Sequence, residues 1–290
     1  MTEQKIDNEP SVTTDLTTRA PVAVDEIVAA TTALSWAARW DIARRLLASV
    51  PASGLDDAAV RRLALAGAAT AVHHDFRAAG ARWAPAAIAA AEAIADPDRR
   101  WDLDLLELQH EYGTELIRPD GQPAFGPVGH DPDRLAALAD RAEALMRSAP
   151  DVAGAGWAAF YRGLIADNLI GDRDGAPAWF TQALEVAGQA DDDYLAGEAL
   201  RHLGDHDEEA GDLERARARW ERSAELWARS GNMTGVLAQQ LLLAQLAVTE
   251  GRAPAGLAIA REVSRWAGAL GLVLYQNQAD ALLAGHQDRD

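Results

Sequence analysis

The chain contains no cysteine, which excludes disulfides, thiolate nucleophiles and thiolate metal ligands and fits a cytoplasmic protein. Lysine is nearly absent as well: Lys5 stands alone, and arginine carries the rest of the positive charge. That bias reflects a GC-rich bacterial genome more simply than a function. No apolar run is long enough to span a membrane. The opening residues, MTEQKIDNEPSVTTDLTTRAP, lack the basic-then-apolar order of a secretory signal. There is no glycine-rich loop of the dinucleotide or Walker type and no G-x-S-x-G. No segment alternates with period two, so essentially no sheet is expected.

What is present is a core rich in alanine. Of the 290 residues 49% are hydrophobic, enough for a sizeable core, and alanine favours helix and close helix contact. The formal net charge of -18 argues against nucleic acid, whose affinity rests on neutralising phosphates. It disfavours acidic membranes for the same reason, and a cationic or neutral ligand or a partner's basic segment fits better.

Residues 1–22 read as a disordered lead, polar and without apolar period. Residues 23–290 read as one helical domain. Within it, 23–55 is expected as an N-terminal capping helix, ending at Pro51. Further helices are expected from about Asp57 to Ala79, Ala84 to Ala95 and Asp98 to Ile117. A loop, RPDGQPAFGPVGHDPD (118–133), then interrupts the pattern with four prolines and three glycines. Its length in a compact helical array points to either a lid or a disordered insertion. Short turns separate the later helices, and 272–286 is expected to cap the C-terminal end.

Gly171, Gly211 and Gly251 lie forty residues apart. Ala176, Ala216 and Gly256 follow five residues later, and Asp191, Gly231 and Gly271 twenty later. One period back stands Asp131, and Gly80 fits an earlier unit if the long loop holds an insertion of about eleven residues. A fixed period of this size is the mark of a helical solenoid, in which each hairpin buries its apolar face on the next.

In the unit HLGDHDEEAGDLERA, the frame Leu203-Gly204, Gly211-Asp212 and Ala216 resembles the tetratricopeptide repeat (TPR) family. The resemblance covers about residues 60–270. It implies an all-α, right-handed superhelical solenoid of about five hairpins whose first helices line a concave groove, and it implies nothing about catalysis. The chain departs from the family in its period, forty rather than thirty-four, and in Asp167 and Asp207, which stand where the family places a packing tyrosine.

On the family's frame the groove positions of the Glu198 hairpin are Glu198, Arg201, Asp205 and Glu208. Their equivalents are Ala158, Tyr161, Ile165 and Asn168 in the unit before, and Ala238, Leu241, Gln245 and Val248 in the unit after. Charge therefore concentrates in one repeat. It is either a solvated face, stabilised by pairing at spacings of three and four, or a site for a polar ligand. Glu198, His202 and His206 share one helical stripe at the spacing two histidines use to bind a metal. With no HExxH, and with His206 expected between hairpins, no metal site is assigned. Asp167 and Asp207, costly to bury unpaired, have Arg162, Arg201, His202 and His206 as available partners. They form either a register-fixing polar network or a pocket floor. His110 and Glu111 align near Tyr161–Arg162 and Arg201–His202, so that a polar column crosses three successive first helices. Trp157, Phe160 and Tyr161 are available as an aromatic wall. Trp179, Trp220, Trp227 and Trp266 are expected in the core, and His73-His74 carry no signal.

These residues are the expected ligand-binding set: Glu198, Arg201, His202, Asp205, Glu208, His206, Asp167, Tyr161, Arg162 and His110. The leading expectation is a binding or adaptor protein holding a peptide segment or small polar ligand. The alternatives are a divergent biosynthetic enzyme, using the same acid–base cluster with or without a metal, and a ligand-responsive regulatory subunit. No motif names a cofactor.

Overall fold

A computed structural model describes residues 23–51, 53–78, 83–97, 100–118 and 122–287. The expected lead 1–22, Gly80 and Asp98 lie outside the described residues. The chain folds as an all-α solenoid of antiparallel helix pairs. In order these are α1 (Val24–Trp36) and α2 (Trp40–Ala48), α3 (Asp57–Arg77) and α4 (Ala84–Glu92), α5 (Trp101–Leu116) and α6 (Pro132–Arg147). There follow α7 (Val152–Leu164), which continues as a π-helical turn (Ile165–Ile170), and α8 (Ala176–Ala190). The series ends with α9 (Asp193–Glu209) and α10 (Leu213–Ser230), α11 (Met233–Thr249) and α12 (Ala253–Leu270), and α13 (Val273–Gln287). One isolated bridge, Ile117 to Pro123, is the extent of β pairing among the described residues.

The forty-residue repeat divides into two beats of twenty. Gly171, Asp191, Gly211, Gly231, Gly251 and Gly271 all take the left-handed conformation, with φ between 54 and 80°. Each ends a helix by the same device: the amide after it reaches back to a carbonyl in the last turn. Examples are Asp212 N to Asp207 O at 2.9 Å and Asn232 N to Trp227 O at 2.8 Å. This closure satisfies carbonyls that a helix end leaves open. Asp or Asn then caps the next helix; Asp192, Asp212 and Asn232 accept from the amides three residues on. Between helices, small residues admit large ones. A Cβ on Gly204 would stand 2.6 Å from Trp220, so the buried indole of α10 takes the place of a side chain on α9.

Three expected boundaries change. The stretch 23–55 is a hairpin rather than one capping helix, because Ala38 adopts a left-handed φ of 59° and turns the chain between α1 and α2. The third helix stops at Glu92, short of Ala95. The third change is the π-helical turn. From Gly163 to Gly171 there are eight residues, whereas the equivalent Gly204 to Gly211 spans seven. Gly163 nonetheless meets Phe180 as Gly204 meets Trp220. The wider turn therefore absorbs one extra residue, as π-bulges do, and every position of α7 before it is displaced by one from the forty-residue frame.

The solenoid coils far enough for its ends to meet. Ala38 and Trp40 share a cluster of buried side chains with Leu237, Leu241, Val263 and Ala279. Trp36 of α1 stacks on Tyr194 of α9 at 4.9 Å. Trp220 and Trp227 are buried as expected; Trp266, expected in the core, is exposed.

The left-handed beat predicts opposite effects at two turns. A Cβ on Gly211 would meet nothing within 4 Å, so Gly211→Ala carries only the backbone penalty and costs about 1 kcal/mol. Asp191→Gly relieves that penalty and stabilises by up to ~0.5–1 kcal/mol. Urea denaturation of the two variants checks both signs.

Candidate functional site

The odd-numbered helices turn one face inward and line a cavity of about 1320 Å³. Its lining draws on α1, α3, α5, α7, α9, α11 and α13 and on no even-numbered helix. All four tyrosines of the chain, Tyr112, Tyr161, Tyr194 and Tyr275, line it. Pro123, Phe125 and Gly126 of the long loop reach the lining as well. The loop is held there by Gly126 N, which donates to Asn168 O of the π-helical turn at 2.8 Å. Its far end is pinned by His130 against Glu115 at 3.0 Å. Phe125 lies between lumen and water, 66% exposed.

At the centre is Arg77, near the end of α3. Its Nη2 donates to Glu198 Oε1 at 3.1 Å and its Nη1 to the Tyr275 hydroxyl at 3.1 Å. One guanidinium thus joins α3, α9 and α13. One turn earlier on α3, His73 lines the same lumen, and its Nδ1 accepts from the indole N–H of Trp40 at 3.0 Å. On α9, Arg201 donates to Nε2 of His202 at 3.0 Å and lies 3.6 Å from Asp205. Asp205 also accepts from Trp220 Nε1 at 3.0 Å. Asn168 donates to the Tyr112 hydroxyl at 2.7 Å.

Burial sets the charge states. It pushes Glu198 and Asp205 above the usual carboxylate range, against the pull of Arg77 and Arg201 respectively. Burial also lowers His202 well below its ordinary value, with Arg201 adding to the effect. His202 is therefore neutral and free to accept the Arg201 proton on Nε2. Burial and then Arg77 lower His73 to about 3. Burial raises Tyr112, Tyr161 and Tyr194, so these phenols stay protonated.

Glu198, Arg201, His202, Asp205, Glu208, Asp167 and Tyr161 all line the cavity. Three residues of the expected set do not. Arg162 turns outward to Glu143 of α6 at 2.9 Å and lies over the ring of Trp179. His110 falls between Gln109, which lines the cavity, and Glu111, which pairs with Arg141 on α6. A step of one residue rotates a helix position by about 100°, so the expected polar column does not form. His206 sits between hairpins, 3.4 Å from Asp167 and against Phe180. Among the described residues no three potential ligands converge on a metal position. Along α7, Trp157, Phe160 and Leu164 line the lumen in place of Ala158 and Ile165, because the extra residue of the π-helical turn shifts the face by one. Val248 is likewise absent from the lining.

Of the partners expected for the two aspartates, only His206 meets one of them, Asp167. Asp207 lies between Arg215 and Arg219 of α10, at 2.6 and 2.7 Å, and clamps its own hairpin. Asp167 pairs with Arg173 at 2.6 Å and with His206, tying α7 to α9. Arg173 bonds Glu209 as well. Sequence reasoning missed His73, Arg77, Tyr194 and Tyr275. The available signal was compositional: four tyrosines fall on four separate first helices, α5, α7, α9 and α13.

No family model and no curated protein matches this chain. Among solved structures it is similar to the crystal structure of the apo form of RapI, at 10% identity and a TM-score of 0.35, over 90% of this chain and 86% of that one. The helical-repeat fold stands on the helix pattern and contacts described above.

Two measurements check this account of the polar groups. Asp207→Ala strands two arginines and should destabilise by about 2 kcal/mol, below the usual loss for a buried pair because Arg215 can turn to water. His73 gives a pH signature. The unfolded chain protonates it near 6.5, the folded protein only near 3. Its contribution is therefore complete above pH 6.5 and is lost as pH falls, at up to ~1.4 kcal/mol per unit. His202 has the same sign, whereas Glu198 and Asp205, held high, lose stability as pH rises. The difference isolates His73: between pH 6.5 and about 5, His73→Gln should show the shallower fall in denaturation free energy. Equal slopes would mean that folded His73 titrates normally.

Proposed function

We propose that this chain is a divergent TPR-like binding protein that sequesters a polar ligand in its central cavity. The observation that carries the reading is the composition of the lumen: all four tyrosines, two partly buried arginines, the buried Glu198 and the half-buried Asp205 face one cavity. Burying such groups is costly, and packing alone does not call for them. The small residues at Gly204, Gly211 and Ala216 on a forty-residue period support the kinship.

The space of about 1320 Å³ exceeds the usual ~300–1,000 Å³ of small-molecule pockets. It accommodates a large polar molecule or a short peptide segment. Closure by the first and last hairpins favours a ligand small enough to be surrounded over a folded partner docked in an open groove. A regulatory role has one observation in its favour. Arg77 joins helices from both ends of the solenoid at the site, so a ligand that engages it changes how the ends are held.

Native mass spectrometry of the purified protein tests the reading. A bound species released on unfolding is expected, and it should be missing from Ala238→Trp, which fills the lumen. Absence of any bound species, with no stabilisation by a mixed library of metabolites and short peptides beyond that of the filled variant, would refute it.

A further inference from the structure

We infer that the ligand is anchored by a carboxylate, taken up among His73, Arg77 and the hydroxyls of Tyr161 and Tyr194; the inference rests on the reading of the cavity as a binding site. The argument is an inventory of donors and acceptors. Among the described residues, none of the four tyrosine hydroxyls donates a hydrogen bond to the protein. Two of them accept instead, Tyr275 from Arg77 and Tyr112 from Asn168. The Trp40 indole occupies Nδ1 of His73, so in the neutral ring the proton lies on Nε2. That Nε2 is buried without a partner, and so is Nε of Arg77 one turn away on the same stripe of α3.

The acceptors nearby are already engaged. Glu198 is held by Arg77, and Asp205 by Arg201 and Trp220. The lumen is therefore left with unspent donors from α3, α7 and α9. A buried donor without an acceptor costs about 1–3 kcal/mol. A carboxylate, which only accepts and offers about four lone-pair sites, matches such a cluster, and charge-assisted bonds of this kind are the strong ones.

The chain's net charge of -18 favours a cation at long range. That field is screened over about 8 Å at physiological salt, whereas the donors act at contact in a low-dielectric site. Of the lumen's other carboxylates, Asp167 is paired with Arg173, and Glu208 and Glu209 are exposed. They bear on the approach of a ligand more than on its seat.

Three fluorescent probes with a common dansyl group test the inference: dansylglycine, dansylglycinamide and dansylcadaverine, which end in a carboxylate, a neutral amide and an amine. Dansylglycine should bind about tenfold tighter than the amide, the equivalent of one charge-assisted bond. The preference for the acid over the amide should disappear in Arg77→Gln. Because Arg77 joins three helices, the double variant Tyr161→Phe, Tyr194→Phe, which removes only hydroxyls, provides a second arm. It should lower dansylglycine affinity by about threefold to tenfold. Equal binding of acid and amide, tighter binding of the amine, or indifference of dansylglycine to the tyrosine variant overturns the carboxylate and leaves the binding site standing. If no probe binds in a way that Ala238→Trp abolishes, the binding reading itself falls.

Discussion

A guanidinium taken out of water must find acceptors, and those that Arg77 finds are far away in the chain. Glu198 and Tyr275 lie on α9 and α13, and the three helices meet only because the solenoid has coiled almost back on itself. The contact and the coiling depend on each other. Without the coil, Arg77 and Glu198 would lie apart, each exposed to water on its own helix. Without the pair, closure would rest on the apolar cluster around Trp40, Leu237 and Leu241 and the Trp36–Tyr194 stack. An array whose first helices would otherwise line an open channel becomes a wall around a deep cavity.

The regularity beneath this is a backbone rule repeated at intervals of twenty. Left-handed residues stop each helix, caps start the next, and small side chains admit large ones across the hairpin. Against so uniform a background a single added residue has a large effect. The π-helical turn at Ile165–Ile170 moves the inward face of α7 by one position. It places Trp157, Phe160 and Leu164 in the lumen, and Asn168 there binds both Tyr112 and the long loop. The loop is thus docked beside the cavity.

Charge works on two scales. Much of it serves packing: Asp207 with two arginines of its own hairpin, and Asp167 with Arg173 and His206. These residues depart from the tetratricopeptide pattern, yet only Asp167 touches the lumen. The charges that define the cavity are instead Arg77, Glu198, Arg201 and Asp205; burial raises the two carboxyl groups against the pull of the two arginines.

Much of the fold was legible in the residues themselves. Helix turns, the forty-residue period and the seven expected residues that line the cavity all follow from local periodicity, since a helix presents one face every 3.6 residues. The misplaced residues failed for local reasons too: His110 by one step of rotation, and Ala158 and Ile165 by one inserted residue. Arg77, His73, Tyr194 and Tyr275 were out of reach for another reason. By itself the sequence determined an all-α helical repeat, where its helices stop, and which hairpin carries the charge. Only the tertiary structure decided that the ends of the solenoid meet, that α3 and α13 face α9, and that every tyrosine shares one lumen. Closure is the sum of small rotations from hairpin to hairpin, each set by side-chain packing, and no single stretch of sequence contains that sum.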